Sequence, residues 1–450
     1  MISMFNTMIL IAIWIIYLYN FRLYAIKRQL GMNMGLNIGI MHLVLIPLSV
    51  FASMGTLAGS PDGMVPAVDW VSNQAAVLKI VSMVFLYGCW DLLRHQRTQV
   101  QTQEIASPTS LWDSFPKLKP IVLVSLFFFM SLTLFVVTGL ASGGHWADAK
   151  AEYLQEGGTR AVLSFNIFGA VRVSTLIVVA SLYLYDRVTP KWIFTCLGLI
   201  CLVDLYTTGN RMFTLQVVVV IGTLLIIKRR WFQLGMMGLA SIPFGVLMTI
   251  FPAIRVYMHS WSGGWKISSA TAALSEGYAE AKDFFLPDLG IAEFLIGITE
   301  GRNMNALVVV VEEFHQVVGL LMGTGILRGF VFWIPRSIWP NKPQNLTVMI
   351  GQHLFSGGER GVSMGATIFG EFWANFGFFG FAMIPFVLYC INRALSWFIR
   401  DPAMRAVAAF LFGYSVVRMP VSDFCILFLF VIVVLNMTRL QSDSPVLTAR

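Results

Sequence analysis

Charge is what this chain has least of. Only 12% of its 450 residues are charged, while 57% are hydrophobic. A soluble domain needs about 25% charged residues to cover its surface. Most of this surface must therefore face something other than water, and a mean hydropathy of +0.74 says the same. Cysteine is scarce too. Cys89, Cys196, Cys201, Cys390 and Cys425 all fall in apolar stretches, which reads as small core residues, not disulfides or metal ligands. No HExxH, no CxxC and no spaced His/Cys cluster occurs, so a protein-held metal is not expected. No Walker loop occurs, which argues against nucleotide chemistry. The net charge of +8 is not interleaved with aromatics on a polar segment, so nucleic acid is not a predicted partner. There is no internal repeat.

What is present are apolar runs of about 17–25 residues without strict alternation. A bilayer core of roughly 30 Å fits such runs as helices. Inside lipid every backbone polar group must bond internally, so helices are the expected form and a barrel is not. The first run, within Met1 to Tyr24, lacks a basic leader and is too long for a signal-peptide core, so it reads as a retained span. Spans are predicted near 4–21, 36–57, 73–93, 120–141, 162–185, 192–208, 213–227, 232–252, 376–394, 403–417 and 421–437. The fold class is thus an all-α polytopic membrane protein of about 11 transmembrane helices. Three regions form one integrated domain: a bundle over 1–252, a long loop over 253–366 and C-terminal helices over 367–450.

Basic residues set orientation. Arg22, Lys27, Arg28, Arg94, Arg97, Lys117, Lys119, Arg187, Lys191, Lys228, Arg229, Arg230, Arg393, Arg400, Arg405 and Arg439 all fall on one side if the N-terminus is outside. Lys and Arg collect on the cytoplasmic side, so the prediction is N-out and C-in. The 253–366 loop is then external, and a loop of that length usually carries function. Within it, Met304 to Met322 reads as an amphipathic helix. Glu312 and Glu313 argue against a full span and for an interfacial or partly buried one. The stretch from Trp333 to Pro343 holds Pro335, Pro340 and Pro343 and reads as a stiff, non-helical arm.

The external loop is electrically sorted. Val256 to Glu313 holds three basic residues against eight acidic ones; Phe314 to Ser363 holds Arg328, Arg336, Lys342 and Arg360 against Glu359 alone. Basic residues kept outside call for a reason, and an anionic ligand is one. Arg presents a planar fork that matches phosphate. Arg211 and Arg255 stand at span ends on the same side, Arg211 after Gly209 and Asn210 at the head of a short run. Helix amides and an arginine there would face an anion together. The plainer reading for both is snorkelling to head groups. Arg172 and Asp204 lie inside spans and are expected to pair; Asp423 is expected to pair with Arg418. Glu371 is expected at the outer boundary of the ninth span, half-buried and suited to acid–base work. His353 lies near Arg360 and is the other candidate base.

Several of these stretches resemble a family. They are Thr208-Gly-Asn-Arg211, the run from Phe332 to Pro343, and Gly361-Val-Ser-Met-Gly-Ala-Thr-Ile-Phe-Gly-Glu371 through Gly380. They resemble bacterial Wzy-type oligosaccharide repeat-unit polymerases, the O-antigen polymerases. The resemblance implies a glycosyltransferase C-like architecture in the bacterial inner membrane, with the active site facing the periplasm. It implies transfer of a growing glycan from undecaprenyl pyrophosphate to the non-reducing end of another lipid-linked repeat unit. The donor bond supplies the energy, so neither cofactor nor metal is implied. Partners would be undecaprenyl-pyrophosphate-linked oligosaccharides and membrane lipid, with a chain-length regulator and a flippase as protein partners. Arg211, Arg255, Arg336 and Arg360 would hold pyrophosphate, and Glu371 or His353 would act as base. An O-antigen ligase shares the layout and donor. A flippase or transporter would show repeats and short loops, with charged residues lining a mid-membrane path, and a non-catalytic membrane scaffold is a third class.

Overall fold

The computed structural model describes residues 2–27, 29–57, 67–97, 167–186, 189–208, 211–240, 275, 302–332, 334, 338–344, 346–354, 365, 367–399 and 401–440. The predicted span at 120–141 lies outside them. The described chain is mostly helical. Its elements begin with α1 (Ile2–Ile26), α2 (Met32–Ile40), a π-helical turn (Met41–Leu45) and α3 (Ile46–Met54). Strands β1 (Thr56–Leu57) and β2 (Val68–Asp69) pair antiparallel, Thr56 opposite Asp69 and Leu57 opposite Val68. Next come α4 (Gln74–Arg97), α5 (Ile167–Leu184), α6 (Pro190–Thr208), α7 (Arg211–Ile227) and α8 (231–240). The chain continues with α9 (Arg302–Val317), α10 (Thr324–Val331), α11 (Leu346–His353) and α12 (Thr367–Phe376). A 3-10 turn (Gly377–Phe379) leads to α13 (Gly380–Phe398), α14 (Pro402–Val416) and α15 (Val421–Leu440).

Five helical stretches are long and apolar enough to cross a membrane: Thr7–Ile26, Met32–Met54, Gln74–Arg94, Ile167–Leu184 and Thr367–Phe398. The apolar parts of α6, α7, α14 and α15 are shorter. Each overlaps a span predicted from sequence. The largest shift of a span start is at the ninth. The predicted ninth span starts at 376, whereas α12 already starts at Thr367. Gly370, Glu371 and Asn375 lower the local hydropathy there, so the apolar signal sets in late although the helix does not.

Two units make up the chain. The first comprises Met1–Glu104, Leu295–Arg400 and Arg405–Ile426, the second Ile105–Phe294, Asp401–Met404 and Leu427–Arg450. In the first, α1 buries Leu10, Ile13, Tyr17, Asn20 and Tyr24 while Met8, Ile11, Ile15 and Leu18 stay exposed. That three- and four-residue spacing is one helix face. Helices α2 and α14 approach backbone to backbone. A Cβ at Gly35 would stand 2.0 Å from the Phe410 carbonyl oxygen, and one at Gly413 would stand 2.0 Å from that of Met32. Glycine alone permits this contact, as at close crossings of membrane helices generally. The hairpin is closed by Trp70, whose ring packs edge-on against Phe51 at 4.9 Å. Asp69 then accepts hydrogen bonds from the Ser72 backbone N–H and hydroxyl, at 2.8 and 2.9 Å.

Helix α9 falls on the predicted amphipathic helix but ends at Val317, not Met322, and Asn303 through Val311 are buried on every side. Met304, Leu307, Val308, Val311 and Phe314 are buried, and Glu313 is exposed. In the second unit, Lys228 on the turn after α7 forms an ion pair with Asp186. Arg172 of α5 lies with its guanidinium 4.8 Å from the Phe213 ring centre and 5.7 Å from that of Phe168. Its expected partner side chain, Asp204, lies outside the described set. No disulfide joins the five cysteines, and Cys390 is exposed on α13 rather than in a core.

Candidate functional site

Helix α12 is buried on every side from Thr367 to Asn375. A helix in that position has no lipid face, so its polar residues must find partners within the protein. Glu371 does so at the start of α15. Its Oε2 accepts a hydrogen bond from the Val421 N–H, and the Ser422 N–H also faces the carboxylate. Pro420 precedes these residues and has no N–H. The first amides of a helix lack intrahelical acceptors, and a negative charge beside them is favourable. Glu371 therefore caps α15 from a different helix.

The same four-residue rung ties in α10. Asn375 Nδ2 donates to the Glu371 backbone carbonyl at 2.8 Å, and the Gly325 N–H donates to Asn375 Oδ1 at 3.2 Å. Gly329 presses on α15, where an added Cβ would stand 2.9 Å from Ser422 Cα. One turn along α10 from Gly325, Arg328 Nη1 bonds Asp423 Oδ1 at 2.7 Å. Sequence proximity pointed Asp423 to Arg418; a partner that it did not point to is Arg328 of α10. Arg328 is one of four basic residues in the sorted half of the predicted long loop, and no rule of spacing singles it out.

Another face of α12 is fixed by α9 and α4. His315 stacks on Trp373 with ring centres 5.3 Å apart, and its Nε2 lies 2.8 Å from the Trp373 carbonyl oxygen. Lys79 of α4 lies 5.3 Å from the Trp373 ring centre. The indole is thus held by two cationic or polar neighbours. Thr367 opens α12 at φ +60°, a left-handed conformation that a β-branched residue rarely adopts. Among the described residues, neither Thr367 Oγ1 nor Glu371 Oε1 has a hydrogen-bond partner. The two stand one helical turn apart.

Glu371 is 1% exposed, which corrects the expectation of a half-buried carboxylate at a span boundary. One oxygen is committed to α15, and no external hydroxyl reaches the other without movement of the packed helices. His353 differs. It ends α11 and is exposed. Arg211 opens α7, but its side chain is not among those described. Arg255, Arg336 and Arg360 lie outside the described residues. Lys342, counted with the loop's basic set, has a structural role. Its Nζ donates to the carbonyls of Phe332 and Ile334 at 2.6 and 2.9 Å, folding the proline-rich arm on itself. A groove of about 550 Å³ between α1 and α4, lined by Met8, Ile9, Val81, Phe85 and Phe378, offers hydrocarbon and the Ser82 hydroxyl.

Gly361-Val-Ser-Met-Gly365 also spells GxSxG. That pattern acquires meaning only on a strand–turn–helix elbow. Ser363 lies outside the described residues, and the described elements on either side are helices α11 and α12. No protein-family model, curated protein or solved structure matches this chain.

Proposed function

We propose that this protein polymerises lipid-linked oligosaccharide repeat units on the outer side of the cytoplasmic membrane. About 11 spans would run N-out and C-in, with the 253–366 loop in the periplasm. The acceptor sugar hydroxyl attacks C1 of the donor glycan's first sugar. The C1–oxygen bond to undecaprenyl pyrophosphate breaks, and the pyrophosphate leaves with the bonding pair. Arg211, Arg255, Arg336 and Arg360 neutralise that charge. The acceptor's proton goes to a base, and accessibility favours His353 over Glu371 for this role. Glu371 then holds α10 and α15 in place.

One observation carries the reading. The Gly361–Gly380 stretch, one of three that resemble the polymerases, contains α12, the helix that ties α9, α10 and α15 together. A resembling stretch that falls on a packed, buried helix supports the reading, because a site needs rigid elements beneath it.

The experiment is deletion of the protein followed by analysis of lipid acceptor and carrier. Loss of a polymerase leaves single repeat units on the acceptor while ligation continues. A bare acceptor with polymer on the carrier would identify a ligase instead, and repeat units trapped inside would identify a flippase. Reporter fusions after Arg230 and Arg400 should read cytoplasm, and one at Asn345 periplasm. In the purified reaction, Arg211→Lys and Arg336→Lys should each lose roughly 10²–10³ in rate, because a point charge does not reproduce the guanidinium fork.

A further inference from the structure

Three helices of the first unit meet along a polar seam that the proposed reaction does not use. On α1, Tyr17, Asn20 and Tyr24 share one buried face, and each is tied to α4. Tyr17 donates from its hydroxyl to the Val84 carbonyl at 3.0 Å, Asn20 Nδ2 to the Gly88 carbonyl at 3.2 Å, and the Tyr24 hydroxyl to Asp91 Oδ1 at 2.7 Å. From α2, Asn33 Nδ2 reaches the same Asp91 oxygen at 3.3 Å. Asn37 follows Asn33 by one turn on that face, and it is 1% exposed. Gly35 and Gly39, which meet α14, point the opposite way.

The seam is rich in polar atoms with nothing to bind. Asn20 Oδ1, both Asn37 Oδ1 and Nδ2, and the Tyr87 hydroxyl are buried without a hydrogen-bond partner among the described residues. Tyr87 lies one turn before Asp91 on α4, and Asp91 is 2% exposed. Buried polar atoms are ordinarily paired, and a cluster of unpaired ones marks a place for water or an ion. The backbone agrees. The π-helical turn Met41–Leu45 begins four residues after Asn37, and the Met41 N–H is shared between the carbonyls of Asn37 and Ile38. Single π-turns recur at functional sites.

We propose that Asp91, Asn20, Asn37 and Tyr87 line a site for a hydrated monovalent cation between α1, α2 and α4. Carboxylate, amide and phenol oxygens are the donors that hard cations take. Accompanying water accepts from Asn37 Nδ2, which a bare ion would leave unmet. A single carboxylate balances a single charge; a divalent ion would leave net charge in a low-dielectric interior. The groups facing Asp91 are Tyr17 and Tyr24 from α1, Asn33 from α2, and Tyr87 and Arg94 from α4. Arg94 also lies over the Trp90 ring, 5.6 Å from its centre, and its side chain is exposed, so solvent screens its charge on the seam. An intramembrane carboxylate set among uncommitted amides is a default candidate for ion binding.

The test uses the full-length protein in detergent. Thermal unfolding is followed in sodium, potassium and choline chloride at equal ionic strength, and radiolabelled sodium binding is counted per chain. The site predicts a saturable rise in melting temperature, on the order of 2–4 °C, with a small cation but not with choline. Asp91→Asn should abolish it. Should that variant fold poorly, Asn37→Ala keeps Asp91 with its Tyr24 and Asn33 bonds and should abolish it alone. Identical curves in all three salts, meaning the atoms hold water only, would overturn the proposal. So would an undiminished response in Asn37→Ala. Neither readout depends on glycan transfer, so failure here leaves the polymerase reading standing, and the reverse.

Discussion

Helices α12 and α13 are consecutive and similarly apolar, yet they live in different solvents. α12 is buried from Thr367 through Asn375 and carries Glu371 and Asn375 at a four-residue interval. α13 buries only Gly380, Ile384, Leu388, Ile391 and Leu395, a single stripe, and leaves Phe386, Tyr389 and Trp397 exposed. The difference teaches where a polar residue is tolerated in an apolar chain. On α13's outer face a carboxylate would have lipid for company. On α12 it has the open amides of another helix, so it becomes a joint rather than a penalty.

The sharpest way to break that contrast is at the inner contacts. Gly413→Leu forces a side chain against the Met32 carbonyl oxygen, which would stand only 2.0 Å from the new Cβ. No folded protein is expected, and fluorescence-detected size exclusion should show aggregate or nothing. A monodisperse peak at normal yield would mean α2 and α14 do not cross as described.

Glu371 and His353 separate positioning from chemistry. Glu371→Leu removes the acceptor from the Val421 N–H and should cost about 1–3 kcal/mol of stability, the usual penalty for a stranded buried donor. Glu371→Gln keeps an acceptor oxygen, so it should be milder and retain turnover within about tenfold in the purified reaction. His353→Gln should cost roughly 10²–10⁴ in rate at unchanged melting temperature. The opposite pattern, a silent His353→Gln and an inactive but stable Glu371→Gln, would return the base to Glu371.

On the outer helix the effects should be small. Phe386→Leu on α13 exchanges one lipid-facing hydrocarbon for another, and its melting temperature should match the parent within the scatter of ordinary surface changes, about 0.5 kcal/mol. A large loss would mean that this face is covered by protein. The smallest effect belongs to Asp69, outside the spans. Hydrogen bonds from Ser72 hold its carboxyl below the ordinary value of 3.8. Its contribution is fully present above the unfolded value and fades as pH falls through the lowered folded one. Asp69→Asn should therefore differ from the parent at neutral pH and converge with it below about pH 3.8, measured by acid titration of melting temperature.

How much of this was legible beforehand varies by element. The apolar runs of α1 to α7 and α13 to α15 announced themselves, because lipid demands unbroken hydrocarbon over a fixed length. The existence of α9 was legible from its aliphatic run before Glu312-Glu313, but the burial of its first half on every side was not. The beginning of α12 was not. Its polar residues read as a boundary when they are a buried joint, since hydropathy averages residues without knowing which neighbours satisfy them. Arg328 was one basic residue among four, and nothing in its spacing pointed to Asp423, 95 residues away.

The sequence by itself determined that this chain is helical, with apolar runs long enough to cross a membrane, where those runs lie, and that the stretch from Val256 to Ser363 is sorted by charge. Those properties follow from the solvent and need only local composition. Tertiary structure alone decided that Glu371 caps α15, that Arg328 meets Asp423, that Tyr24 and Asn33 converge on Asp91, and that α2 and α14 touch through glycine. Each depends on which helix lies beside which, and in a chain whose helices are nearly all apolar that choice rests on a few polar and small residues. Their meaning appears only when the partner is in place.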